Sequence, residues 1–268
     1  MGVRALLYAG LCLCLLGGCA AGAADTTEAE LDLDGFRMTF DEPFDSLDVS
    51  AWGKPRTRWI AHTPWNGDFG DAKFTDPMDK FPFTIENGIL RIEARRGDDG
   101  VWRSGLLASV DPDGNGFSQK YGYFEARMKV PPGKGVWPAF WLVGVDRTDH
   151  TPEIDVLEYY GHEPKRFSSA VHIWPKEHSE LKPWHDVHHT RVDEVLADDY
   201  HLYGVMIDEQ ETVFYFDRRP VWRVPTPEQY KVRVFPLVNL ALGSGWPIEE
   251  TPNPSHLYVD YVRAWARE

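Results

Sequence analysis

The sequence predicts an all-β domain, a sandwich of two strongly curved antiparallel sheets. Three features predict it. Short runs of β-branched and aromatic residues recur along the whole chain, and turn clusters such as "DPDGNG", "PPGKG" and "ENG" separate them. No segment carries a convincing amphipathic helix; "DEVLADDYHLYG" offers at most a turn or two. So many short strands in one domain suit a sandwich better than any bundle of helices.

The strands follow in order. "FRMTF" at 36–40 opens the series, then come "FTIENGILRIEAR" at 83–95 and "GLLASV" at 105–110. "YGYFEARMKV" at 121–130 alternates cleanly, with Tyr121, Tyr123, Glu125 and Arg127 set against Gly122, Phe124, Ala126 and Met128. "GVWPAFWLVG", "EIDVLEYYG" and "FSSAVHIW" form the middle of the chain. "YHLYGVMID", "TVFYFDRRPVWRV", "VRVFPLVNLALG" and "LYVDYVRAWA" complete it. "HDVHHT", with His185, His188 and His189, reads as an exposed loop, because its spacing fits no common zinc pattern.

Composition narrows the function. A net charge of −14 argues against a nucleic-acid surface, which needs basic patches to meet phosphates. The 268 residues suffice for one substantial core, and nothing in their composition divides them into two folded domains. "MGVRALLYAGLCLCLLGGC" has one Arg, an apolar stretch and small residues, the pattern of a secretory signal. All three cysteines, Cys12, Cys14 and Cys19, lie in it, so no disulfide braces the folded part. The expected division is a signal over 1–19, a small-residue and acidic tether over 20–33, and one domain over 34–268, acting as a monomer.

The segment "TPEIDVLEYYG" at 151–161 gathers Glu153, Asp155 and Glu158 in an otherwise apolar strand. Residues two apart share a face of a strand, so Glu153 and Asp155 point the same way. Strict alternation sends Glu158 to the other face. One β-bulge at Val156–Leu157 returns it, because a bulge inserts a single extra residue. Two carboxyls about 5–5.5 Å apart are what a retaining glycosidase uses, one as nucleophile and one as acid/base. A third acid between them orients the nucleophile and holds its neighbour's pKa up. A plain solvent-facing acidic strand would show the same pattern.

That motif, together with "YGYFEARMKVPPGKGVWPAFWLVG" before it and "VDYVRAWAR" at the end, resembles glycoside hydrolase family 16. The likeness runs from "FDEPFDSLDVSAW" to the C-terminus, and the acid spacing matches the family's bulged branch of laminarinases, agarases and carrageenases. The resemblance implies a concanavalin A-like jelly roll with a glycan-binding cleft on its concave face. It implies Glu153 as nucleophile, Asp155 as its helper and Glu158 as general acid/base, with no cofactor required. Within the family, "TPWNGDFGDAKF", "WRSGLLAS" and "GFSQKYGYFEARMKVP" look most like rhizobial glycanases that depolymerise succinoglycan. The polar stretch "WNGDFGD" departs from the laminarinase pattern, which puts a simple β-1,3-glucan specificity in doubt.

Other residues divide between the cleft and the scaffold. Trp137 and Trp141 are four apart and share a face under strict alternation, and aromatic rings suit sugar rings. By resemblance, Trp137 floors the subsite beside the nucleophile. Trp65 and Asn66 lie in a polar, Gly-rich loop and are assigned to the non-reducing side of the cleft. Arg103 either meets a sugar hydroxyl or substrate carboxylate or forms a surface salt bridge. His172, with Trp174 on the same face, stands on the strand after the acids and is either a cleft residue or a structural one. Asn239 and Trp246 match a family segment that borders the cleft. The family's structural calcium would fall to Glu42, Gly88 and Asp260.

The expected function is therefore a retaining endo-β-glycanase acting on a bacterial exopolysaccharide or a β-1,3/1,4-glucan. A transglycosylase, an agarase- or carrageenase-type galactanase and a non-catalytic lectin are the alternatives. "LGGC" at 16–19 resembles a bacterial lipobox, which implies lipidation at Cys19 and a lipid anchor to the membrane. With Ala20 next, the outer membrane is the expected destination, otherwise the periplasm or the medium.

Overall fold

The computed structural model describes residues 29–268. The signal segment, Cys19 and the first part of the tether lie outside the described residues. Among those described, eighteen strands and one short 3-10 turn make up the regular structure. The first eight strands are β1 (Phe36–Glu42), β2 (Val49–Ser50), β3 (Trp59–Ile60), β4 (Lys73–Phe74), β5 (Phe83–Glu86), β6 (Ile89–Arg96), β7 (Trp102–Ser104) and β8 (Leu106–Ala108). The longer central strands are β9 (Gly122–Lys129), β10 (Val136–Gly144), β11 (His150–Tyr159), β12 (Arg166–Pro175) and β13 (Trp184–Arg191). Then come β14 (His201–Ile207), β15 (Glu211–Phe216), β16 (Arg219–Pro225), β17 (Val234–Leu242) and β18 (Ser255–Arg267). The 3-10 turn, Glu228–Tyr230, precedes β17.

Two sheets face each other. The outer one has ten strands, ordered β16-β15-β14-β9-β18-β6-β7-β4, with β1 also on β18 and β5 on β6. The cleft sheet has eight, ordered β13-β12-β11-β10-β17-β8-β3-β2. Pairing is antiparallel except for the short pairs β2 with β3 and β4 with β7. Between the sheets, Phe124, Met128, Tyr203 and Val259 of the outer sheet join Phe140, Leu142, Ile154, Leu157 and Leu240 of the cleft sheet in one core. Each such side chain contributes about 1.5–3 kcal/mol when fully buried, so this core holds the domain together without disulfides.

A second apolar layer covers part of the cleft sheet's other face. Ile60, Phe74, Leu106, Trp141, Phe235 and Leu237 form it, with Phe69 and Trp137 packed against them. The chain between β3 and β4 lies across this layer and becomes one wall of the cleft. Asp71 N–H donates to Leu242 O at 2.9 Å to hold it there. A Cβ on Gly70 would sit 2.4 Å from that same carbonyl, and one on Gly243 would sit 1.7 Å from Asp71 Oδ2. Both glycines have positive φ, +69° and +86°, so close approach and backbone conformation each exclude a side chain.

Two expectations change. Leu31 and Leu33, assigned to the tether, pack on Tyr123, Met206, Val213 and Trp265, and Leu31 N–H donates to Arg218 O at 2.8 Å. The packed chain therefore starts before residue 34. The histidine-rich segment is also no loop: it is strand β13, paired with β12 along its length. Its side chains are mostly exposed, because an edge strand is held by backbone hydrogen bonds on one side. Side-chain pattern could not reveal that.

Candidate active site

The bulge is where alternation requires it. Phe140 of β10 opposes Leu157 while its neighbour Trp141 opposes Asp155, so Val156 is extra on β11. On the other side Asp155 faces Ala170 and Glu158 faces Ser168, again one residue short. Val156 and Leu157 are both buried in the inter-sheet core, and Glu158 turns back to the concave face. Glu153, Asp155 and Glu158 consequently line one cleft of about 520 Å³.

Its chemistry follows from crowding. One oxygen each of Glu153 and Asp155 and a ring nitrogen of His172 lie within 4.8 Å of one another. Burial, and next the charge of Asp155, push the Glu153 carboxyl up to about 8. The partial surface exposure of Glu153 lets water in from the cleft mouth, so burial acts on it less than on a sealed group. His172 and a hydrogen bond from Trp174 pull the other way. Asp155 is buried and held well above the usual carboxylate range, first by burial and then by Glu158. His172 Nε2 stands 3.2 Å from Asp155 Oδ2, and Trp174 stacks on the imidazole at 4.9 Å and 12°. At Glu158, the Trp137 indole N–H donates to Oε1 at 3.0 Å and the Tyr160 hydroxyl donates to the same atom at 3.1 Å. Both donors meet the same oxygen of the carboxyl.

The walls are aromatic. Trp65 is exposed at the cleft, edge-on to Trp141 at 6.2 Å, with the Arg147 guanidinium over its ring at 5.1 Å. Trp141 is buried, and its Nε1 donates to Asn239 Oδ1 at 2.8 Å. That bond orients the Asn239 amide, whose buried Nδ2 has no protein partner and faces the same cleft.

Residues 78–263 match the family model for glycosyl hydrolases family 16. The chain belongs to that family. It is 30% identical to endo-1,3-1,4-beta-glycanase ExsH of Rhizobium meliloti, covering 91% of this chain and 56% of that protein. It is 33% identical to endo-1,3-1,4-beta-glycanase EglC of the same species, covering 88% and 53%. The chain thus spans little more than half the length of these relatives. The laminarinase catalytic domain of Thermotoga maritima aligns with TM-score 0.67 and 23% identity, over 87% of this chain and 99% of that one. That likeness shows the fold, a family 16 jelly roll.

Of the residues singled out in sequence, the cleft gathers Glu153, Asp155, Glu158, Trp65, Trp137, Trp141, His172 and Asn239. Trp137 touches Glu158 through its indole nitrogen, which places it beside that acid. Arg103 is elsewhere, in the surface salt bridge that was its alternative: its Nη2 meets Asp99 Oδ2 at 2.7 Å. Trp246 lines a neighbouring depression with Lys134 and Glu250, against His162 at 3.6 Å between ring centroids. Asn66 does not line the cleft; at φ +55° it makes the turn that presents Trp65, with its N–H on Thr63 O at 2.9 Å.

The calcium candidates do not make a ligand set from their side chains. Glu42 accepts from Phe44 N–H, Trp59 Nε1 and Arg58 Nε, and Asp260 holds Arg127 at 2.6 Å. Gly88 is the φ +74° residue of the turn between β5 and β6. A cation at the two carboxylates would have to displace two arginines.

Phe69, Tyr160, Trp174 and Ser244 also line the cleft. Trp174 had a signal, lying two residues beyond His172 on the same face of β12, and Tyr160 follows directly on the end of β11. Phe69 and Ser244 come from loops, where no periodicity points to a face.

Proposed function

We propose that this family 16 chain is a retaining endo-β-glycanase that cleaves internal bonds of a β-1,3/1,4-linked polysaccharide. The observation that carries the reading is the bulge, which puts Glu153, Asp155 and Glu158 into one aromatic-walled cleft. In this mechanism the Glu153 carboxylate attacks the anomeric carbon while Glu158 protonates the departing glycosidic oxygen from Oε2. A covalent glycosyl-enzyme results, and Glu158, now a base, activates the water that releases the sugar. Attack needs Glu153 ionised, and burial beside Asp155 works against that form. Asn239 Nδ2 supplies a donor for a sugar hydroxyl, and Trp65 and Trp174 offer exposed rings for stacking.

The two rhizobial relatives, both named as endo-1,3-1,4-beta-glycanases, support the linkage class. A bacterial exopolysaccharide or a mixed-linkage glucan fits it. Proton NMR of the first anomer released tests the mechanism. Retention is expected, an inverted first product would overturn it, and sizing early products separates endo from exo cleavage.

We further propose export through the N-terminal segment and lipidation at Cys19, on the strength of "LGGC". Among the described residues no helix is long and apolar enough to cross a membrane. Cys19→Ala is expected to move the protein from the membrane fraction to the soluble one with unchanged specific activity. A wild-type protein found wholly soluble, with its N-terminus beyond residue 19, would remove the anchor.

A further inference from the structure

Ser169 is a polar residue where an apolar one belongs. It points into the inter-sheet core between Phe167 and Val171, and it is fully buried. Burying a hydroxyl without a partner is costly. Its position explains its presence. Asp155 pairs with Ala170 and Glu158 with Ser168, so Ser169 is the single β12 residue opposite both Val156 and Leu157. A bulge leaves its extra residue out of the ladder, and a buried carbonyl must find another donor. Ser169 Oγ donates to Val156 O at 2.9 Å.

Tyr230 does a similar thing at the other acid. It is fully buried in the same core, on the 3-10 turn before β17. Its hydroxyl lies 2.8 Å from Glu153 O and 2.6 Å from His172 O, so one proton is shared between two carbonyls. Glu153 and His172 are cross-strand partners. The two hydroxyls therefore pin β11 from beneath, one under Glu153 and one at the bulge before Glu158. Neither lines the cleft.

We propose that Ser169 and Tyr230 are positioning residues that set the aim of the two reacting carboxyls, Ser169 acting through the bulge on Glu158 and Tyr230 through the backbone of Glu153. The inference rests on the retaining glycanase reading. Without the Ser169 hydroxyl, Val156 O loses this donor at the bulge, and the bulge loses part of its advantage over a shifted register. Glu158 then drifts, and a misplacement of about 1 Å is enough to cost on the order of 100-fold in rate.

Leaving-group dependence tests this, because a merely structural role would not produce it. Phenyl and dinitrophenyl β-glycosides of one mixed-linkage glucan trisaccharide are compared by kcat/KM, which reads the glycosylation step. The phenyl leaving group needs the proton from Glu158; the dinitrophenyl group departs without it. Ser169→Ala is expected to lose about 10–100-fold on the phenyl glycoside and little on the dinitrophenyl one. Tyr230→Phe, acting through the nucleophile, should lose equally on both. Equal losses for Ser169→Ala, or no loss, would overturn its assignment, and a leaving-group dependence in Tyr230→Phe would overturn that of Tyr230. If Ser169→Ala cannot be purified, Ser169→Cys keeps a weak donor at the same place and must show the same dependence at smaller size. Wild type that turns over neither glycoside would withdraw the glycanase reading itself, and this assignment with it.

Discussion

Glu125 on β9 and Glu153 on β11 lie in opposite sheets, and the protein treats their carboxyls in opposite ways. Glu125 is fully buried, and four donors meet it. Arg218 contributes Nε at 2.9 Å and Nη2 at 3.0 Å, and the hydroxyls of Tyr123 and Tyr261 each lie at 2.8 Å. The cost falls on the donors' own titration: Tyr123 and Tyr261 are held well above the usual phenol range by burial and then by the charge of Glu125. Glu153 instead faces Asp155 and Glu158, and its charged form is opposed by burial and by a like charge. Burial alone does not make a carboxyl reactive. A buried acid with a full set of donors has its oxygens satisfied and fixed in place, whereas one among other acids has its charged form opposed.

The comparison breaks most visibly at Glu153. In the proposed mechanism Glu153→Gln removes the nucleophile and little volume, so turnover should fall by about 10⁴-fold or more, as when a covalent catalyst is deleted elsewhere. Initial rates on mixed-linkage glucan measure it, and glycan binding should survive. A loss of folding instead would return Glu153 to the class of Glu125.

Arg218→Met strikes the opposite member. It leaves Glu125 buried with its arginine gone, and breaking such a pair costs about 3–5 kcal/mol of stability. Urea unfolding reads the loss. The rate of the fraction that remains folded should be that of wild type, since Arg218 sits on the turn between β15 and β16 and does not line the cleft. A rate defect without instability would show coupling between the sheets.

Deleting Leu157 sharpens the role of the bulge. The strand would regain a strict two-residue period through Glu158, yet everything beyond is packed for the bulged register. Activity should fall by more than about 100-fold, the lower end of what positioned acid–base catalysis supplies. A deletion variant with a normal rate and pH profile would mean that the extra residue does not place Glu158.

The smallest effect has the opposite sign. Burial and then the charge of Asp155 push the Glu153 carboxyl up to about 8 from the ordinary glutamate value of 4.5. Below pH 4.5 both states hold the proton and the site costs nothing. As pH rises toward 8 the unfolded chain releases its proton and the native state does not, so stability falls across that window and stays reduced above it. Glu153→Gln should therefore be more stable than wild type at pH 8 and equal to it at pH 4. With water entering from the cleft mouth, we expect about 1–3 kcal/mol. Equal stability of the two proteins at both pH values would show that the cleft imposes no such cost.

The acids were legible in sequence because a strand's period of two makes the spacing of Glu153, Asp155 and Glu158 inconsistent with one face unless a residue is inserted. Alternation put Trp137 and Trp141 on one face, but His172 stood open between cleft and structural residue until β12 was found beside β11. Arg103 was not decidable, because its environment depends on Asp99, four residues earlier across a turn. Trp246 and Asn66 lie in loops, where adjacency to a cleft residue does not imply a shared surface. Ser169 carried no warning at all: a serine on a core face looks like noise until the strand opposite is known to bulge.

By itself the sequence determined the all-β class, the strands that carry the acids and the insertion between Asp155 and Glu158, since each depends on side-chain alternation along a few neighbouring residues. The tertiary structure alone decided which strand lies beside which, that β13 joins the sheet edge despite its exposed histidines, and that Ser169 and Tyr230 meet the backbone of β11. Those contacts join residues far apart in the chain. They are set by which carbonyls remain unpaired once the sheets close, a property of the assembled backbone that no local pattern encodes.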